Sequence, residues 1–163
     1  MNTDLLTIIQ KIKQESGHDP GKKQLQKLIY LIQAKGVDLG YEYGIHFYGP
    51  YSEELSRDLL SLCVNGYVDF RMDGQTHKIV PSNTPVEMDT VHINPEIVDL
   101  IINQYKDSPP SYLELITTAH FAAANLGNSE EEILIGVEKI KEDKYSTPMI
   151  IDAIKHIKTE YAV

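Results

Sequence analysis

The stretch from Ser52 to Val80 constrains the fold more than any other part of the chain, because its hydrophobic period changes from helical to alternating at one turn. Leu55, Leu59, Leu62 and Cys63 recur at helical spacing, with Ser52 as N-cap and Glu53 and Glu54 in the first turn, where the helix dipole favours carboxylates. Asn65-Gly66 closes that helix. Tyr67 to Phe70 and His77 to Val80 then read as two short strands, with Asp73-Gly74 between them as a hairpin signal. A helix followed by Asn-Gly and a hairpin is the tail of a winged helix-turn-helix.

The preceding residues supply the rest of such a unit. Asp4 to Ser16 predicts an amphipathic helix on Leu5, Ile8, Ile9 and Ile12, ended by the breakers from Gly17 to Gly21. Lys22 to Lys35 predicts a second helix with one apolar stripe, Leu25, Leu28, Ile29 and Ile32, stopped at Gly36. Tyr41 to Tyr48 is aromatic and β-branched and reads as one strand, ended by Gly49-Pro50.

The second half reads as helical. Pro81 to Thr90 is a connector. Asn94-Pro95 opens a helix to about Lys106, and Ser108-Pro109-Pro110 breaks it. Further helices follow over Ser111–Leu126, Glu130–Lys141 and from Thr147-Pro148 to about Tyr161. Ala119, Ala122, Ala123 and Ala124 mark the first of these as close-packed. The expected fold class is α+β, mostly helical. A winged-helix-like unit with a small antiparallel sheet spans 1–80, and a helical subdomain at 91–163 packs on it as one compact domain.

Composition narrows the function classes. The chain has 163 residues and a formal net charge of −9. Residues 1–80 carry nine basic and ten acidic side chains, and residues 81–163 carry six and fourteen. That bulk acidity opposes non-specific nucleic-acid binding, which depends on neutralising phosphates, but leaves room for a local basic face on the first half. One cysteine, Cys63, excludes an internal disulfide, and its apolar neighbours mark it as buried and inert. The charged residues of the first helix exclude a signal peptide, and no apolar run approaches the roughly 20 residues of a membrane span. The expected location is the cytoplasm, with no membrane partner.

No cofactor or metal motif is present. The six histidines lack metal-ligand spacing, and no phosphate loop, dinucleotide fingerprint or nucleophile elbow occurs. Glu53-Glu54 and Glu130-Glu131-Glu132 read as charge at helix starts. His46 reads as a structural histidine, or as a polar group on a partner-binding face.

Specific residues carry a family resemblance. Lys23-Gln24-Leu25-Gln26-Lys27-Leu28-Ile29-Tyr30, then His46-Phe47-Tyr48-Gly49-Pro50-Tyr51-Ser52, then Leu55, Asp58-Leu59 and Gly66-Tyr67 resemble the YwgA-like family of small bacterial proteins. More distantly they look like the Panacea antitoxin domain, the SocA-like group. Fainter likeness continues at Leu113-Glu114-Leu115, Thr117-Thr118-Ala119 and Lys139-Ile140-Lys141. The resemblance implies a mostly helical fold with a small sheet and no established chemistry. Its Panacea side implies toxin neutralisation, or adapting a toxin for proteolysis.

Three function classes follow. The favoured one is a non-enzymatic protein-binding or regulatory module, antitoxin-like or an adaptor. Its contacts would come from Lys27, Tyr30, His46, Tyr48, Gly49, Pro50, Tyr51 and Ser52, with Tyr41, Tyr43 and Tyr67 enlarging an aromatic cluster of the kind enriched at interfaces. The second is a winged-helix DNA-binding regulator using Lys22, Lys23, Ser56, Arg57, Arg71 and Lys78. The third is an enzyme with a scattered site near the Tyr-Gly-Pro-Tyr-Ser turn.

Overall fold

A computed structural model describes residues 2–83 and 92–163. Among them are seven helices and two small antiparallel sheets: α1 (Thr3–Ser16), α2 (Lys22–Ala34), β1 (Gly44–His46), β2 (Gly49–Tyr51), α3 (Glu53–Val64), β3 (Val68–Asp73), β4 (Thr76–Pro81), α4 (Pro95–Tyr105), α5 (Pro110–Asn125), α6 (Glu130–Lys141) and α7 (Thr147–Glu160). The fold is α+β and mostly helical. Of the expected connector at 81–90, Pro81 ends β4, and residues 84–90 lie outside the described residues.

Helix boundaries follow local chemistry. Asn2, Ser52, Asn94, Ser129 and Ser146 each cap a helix by accepting a backbone N–H from its first turn. Gly17 closes α1 at φ +76° and returns its N–H to the Lys13 carbonyl at 2.9 Å.

The chain divides into two compact units, one of Met1–Tyr43 and Ser52–Ser108, the other of Gly44–Tyr51 and Pro109–Val163. This division differs from a boundary at 80/91: α4 packs against α1 and α2 in the first unit, while the segment 44–51 is grouped with the C-terminal helices.

In the first unit α2 is the central element. It buries Leu25, Gln26, Lys27, Leu28, Ile29, Tyr30, Leu31 and Ile32 in succession, not the single stripe expected, because its neighbours surround it. β3 and β4 form a hairpin in register from Val68↔Pro81 to Asp73↔Thr76. The turn is therefore Gly74-Gln75, and both strands run longer than the sequence suggested. Residues just before α2 join this hairpin edge: Gly21 bridges Lys78, and the Ile79 N–H donates to the Pro20 carbonyl at 2.8 Å.

The expected single strand 41–48 is replaced by something different. Only 44–46 is strand, and Gly49-Pro50 does not end it but turns back as β2, with Gly44↔Tyr51, Ile45↔Pro50 and His46↔Gly49 paired. Proline is tolerated because a two-stranded ribbon has only edge strands. Tyr41 and Ser52, flanking this ribbon in sequence, are held by side chains instead of a ladder. Gln33 Nε2 donates to the Tyr41 carbonyl and Gln33 Oε1 accepts the Tyr41 N–H, each at 3.0 Å. Gln26 treats Ser52 the same way, donating to its carbonyl at 2.8 Å and accepting its N–H at 2.9 Å. The two glutamines are two helical turns apart and so share a face of α2.

In the second unit α5 is the central element. It is buried without interruption from Leu113 to Ala119 and packs on α6, α7 and β2. α5 and α6 come close where Gly136 faces Ala122, since a Cβ on Gly136 would lie 3.0 Å from that of Ala122. Ala119, Ala122 and Ala123 are buried as expected, and Ala124 is exposed.

Gln26→Ala should destabilise the protein by about 2–5 kcal/mol, because it strands a buried donor and a buried acceptor of Ser52. Urea denaturation of wild type and variant measures this; an effect under about 0.5 kcal/mol would refute the clamp.

Candidate functional site

In the second unit the ribbon 44–51 joins an exposed tip to a packed base. Its base is packed. Gly49 is buried with φ +97°, and a Cβ there would sit 3.2 Å from Thr118 Oγ1 and 3.4 Å from Glu114 Cγ. Glycine is required twice, by the backbone angle and by the approach to α5. Pro50 is buried beside it.

Beneath this turn lies a buried charge cluster. Three donors converge on Glu114 Oε1: Lys141 Nζ at 2.7 Å, Lys144 Nζ at 2.7 Å and the Tyr145 hydroxyl at 2.9 Å. The Glu114 and Lys141 side chains are each only 6% exposed. Lys141 also donates to the Phe47 carbonyl at 2.8 Å, so one ammonium joins the carboxylate to the ribbon tip. Burial by itself would raise the Glu114 pKa. The hydrogen bonds from Lys141, Lys144 and Tyr145 and the charge of Lys141 outweigh it, so the carboxyl titrates below its ordinary value of 4.5. The Tyr145 hydroxyl is pushed up by burial and by the Glu114 charge. Three donors on one oxygen balance the Glu114 charge within the fold. Glu142, just after α6, takes φ +53°, and the chain then returns Lys144 and Tyr145 to Glu114.

Above this base the tip is open. Phe47 is 82% exposed and Tyr48 46%, their rings edge-to-face at 4.9 Å. His46 is exposed and lies against the Tyr51 ring at 4.6 Å.

The structure therefore separates the residues picked from sequence for partner contact. His46, Tyr48 and in part Tyr51 are accessible. Gly49 and Pro50 are buried in the ribbon base. Lys27 and Tyr30 are buried on α2, with the Tyr30 ring edge-on to Tyr43 at 5.0 Å, and Ser52 is the fully buried N-cap of α3. Tyr41 and Tyr43 also serve the fold: their hydroxyls donate to Asp58 Oδ2 at 2.7 Å and to the Gln26 carbonyl at 2.8 Å. Internal hydrogen bonding explains why tyrosine stands at these positions where phenylalanine would pack as well. Tyr67 is half-buried, and so is Cys63, expected to be buried.

The residues picked for nucleic-acid contact lie on three elements, the start of α2, α3 and the β3–β4 hairpin, and of these Arg71 and Lys78 are paired across the hairpin. Lys22 Nζ sits 3.7 Å over the Phe70 ring. Arg71 pairs with Asp19 at 3.2 Å. Lys23 is exposed at the start of α2. On α3, Ser56 is half-buried and Arg57 exposed, and the face of Arg57 also presents Leu60 and Val64, 56% and 78% exposed.

Sequence reasoning quoted Phe47 within the motif but left it out of the contact set, and it passed over Lys144 and Tyr145. Glu114, Thr118 and Lys141 did lie in the three segments of fainter family likeness, and these are the segments that hold the ribbon. Among the described residues no three His, Cys, Asp or Glu side chains are grouped to hold a metal ion, and no helix is long and apolar enough to cross a membrane.

Comparison with known proteins adds one relative. The chain is 40% identical over 60 residues to the uncharacterized protein YwgA of Bacillus subtilis (strain 168). The match covers 37% of this chain and 36% of that protein, so the chain spans about a third of the relative's length. No family model matches.

Gly49→Ala should cost about 2–3 kcal/mol from the forced backbone angle and the crowding against α5; a melting temperature equal to wild type would contradict the packing. Glu114→Gln leaves the Lys141 ammonium buried without its counter-charge and should cost about 3–5 kcal/mol at neutral pH. The folded-state pKa is lowered, so the Glu114 contribution is complete above the ordinary carboxylate pKa and is lost as pH falls through the lowered value. Denaturation of wild type and variant across pH should show a stability gap that closes on acidification; a pH-independent gap would exclude the ion pair as its source.

Proposed function

We propose that this chain is a non-enzymatic binding module that engages a protein partner through the tip of the 44–51 ribbon. The supporting observation is Phe47, a large apolar side chain 82% exposed on a turn whose base is fixed by Gly49, Glu114 and Lys141. An isolated two-stranded ribbon is marginal in water. This one is held by a buried ion pair, and its aromatic tip is preorganised, which lowers the entropy lost on binding. Phe47, Tyr48 and His46 form the contact set, and the buried members of the motif supply its frame. In the light of the family resemblance, the module acts as an antitoxin-like or adaptor protein in the cytoplasm.

A second reading, a winged-helix DNA-binding regulator, is favoured by one observation. The Gly21–Lys78 bridge puts the residues between α1 and α2 on the edge of the β3–β4 hairpin, so that, with the β1–β2 ribbon set aside, the order is helix, bridge, helix, helix, hairpin. Its weakness is the α3 surface, where Leu60 and Val64 accompany Arg57 at the place a groove-reading helix would need polar contacts.

Pull-down from bacterial lysate, with nuclease present, should capture a protein on wild type. Phe47→Ala with Tyr48→Ala should weaken that complex by about 2 kcal/mol or more without changing the melting temperature, as expected for aromatic anchors. Capture unaffected by the double variant would reject the ribbon tip as the contact. Capture of nucleic acid alone in the absence of nuclease, with affinity falling steeply with salt, would favour the second reading.

A further inference from the structure

The first unit carries a cleft of about 260 Å³, bounded by the C-terminal end of α1, the loop at His18-Asp19 and the β3–β4 hairpin. Lys13, His18, Arg71 and Lys78 line it, with Asp19 and Asp73. Asp19 is the organising residue. Its side chain is 12% exposed, and it holds two cations at once, Lys13 Nζ at 2.8 Å and an Arg71 guanidinium nitrogen at 3.2 Å. Burial by itself would raise the Asp19 pKa, but these two cations outweigh it and the carboxyl stays ionised.

One carboxylate cannot use the donors of two cations. An arginine has five N–H groups and a lysine three, and Asp19 Oδ2 and Oδ1 take one contact from each. Lys13 and Arg71 keep about half of their surface exposed while Asp19 fixes their positions. Lys78 stands directly across from Arg71 in the hairpin register, which brings a third cation to the same wall. Even with Asp73 counted, positive charges outnumber negative ones, three to two, in a chain whose net charge is −9.

We propose that this cleft binds a phosphate group, recognised by Arg71, Lys13 and Lys78, with Asp19 as the positioning residue that holds the first two. Arginine beside lysine in a partly walled cleft suits a multi-oxygen anion better than chloride, because the guanidinium presents parallel donors. The phosphate belongs either to a monoester metabolite or to a nucleic-acid backbone, which share this chemistry. The inference is independent of the ribbon tip, which lies in the other unit.

Titration of the full-length chain with inorganic phosphate, followed by amide NMR shifts at constant ionic strength against chloride, tests it. Shifts should concentrate at Gly17, His18, Arg71 and Lys78 and saturate. Arg71→Gln with Lys78→Gln, two changes outside the core, should weaken binding by about tenfold or more, as expected for a lost charge-assisted hydrogen bond. Absence of saturable shifts, or shifts that survive in the double variant, would overturn the proposal. A parallel titration with glucose 6-phosphate and with a short DNA duplex distinguishes the sources. Stronger saturation of the same amides by the sugar phosphate assigns a monoester, and by the duplex a backbone.

Discussion

Backbone polar groups that leave secondary structure must still be satisfied, and the chain between α2 and α3 is organised by that demand. Only a short two-stranded ribbon forms there. Gln26 and Gln33 therefore each present an amide side chain as a substitute peptide, offering one donor and one acceptor to a single residue. Ser52 is thereby fixed as the N-cap of α3, and Tyr41 is placed to hydrogen-bond Asp58 on the same helix. A change at Gln26 would thus reach the start of α3, although α3's own sequence is untouched.

The second unit solves a related problem with charge. Glu114 sits in the midst of a continuously buried stretch of α5, where an unpaired carboxylate would be very costly. Lys141, Lys144 and Tyr145 supply the compensation, and Lys141 extends it to the Phe47 carbonyl. Such a cluster contributes less net stability than its short distances suggest, because desolvating the ions opposes their attraction. What it provides is an anchor: one ammonium ties the Phe47 carbonyl at the ribbon tip to the Glu114 carboxylate on α5.

Much of the fold was legible because it is local. Asn2, Ser52, Asn94, Ser129 and Ser146 act within three residues of themselves, and the Asp73-Gly74 signal lies within one residue of the observed turn. The ribbon was not legible. Tyr41 to Tyr48 has the composition of a strand, and Gly49-Pro50 has that of a terminator. Only the partner elements show that the glycine continues the ribbon and that the tyrosines on its approach are held by α2. The candidate contact set was half legible for the same reason. His46 and Tyr48 emerge on the surface, while Lys27, Tyr30 and Ser52, adjacent in motif, are buried.

Local sequence is enough to place most helix ends, to show a mostly helical fold with small antiparallel pieces, and to locate the acidity in the second half. These follow from propensity, capping and composition, each readable within a few residues. Tertiary structure decided which motif residues face water, that α4 packs with α1 and α2, and that Glu114 meets Lys141, Lys144 and Tyr145. It also brought Lys13, Asp19, Arg71 and Lys78 to one cleft. Those outcomes depend on contacts between residues tens of positions apart, whose energy depends on burial, and burial is a property of the folded whole.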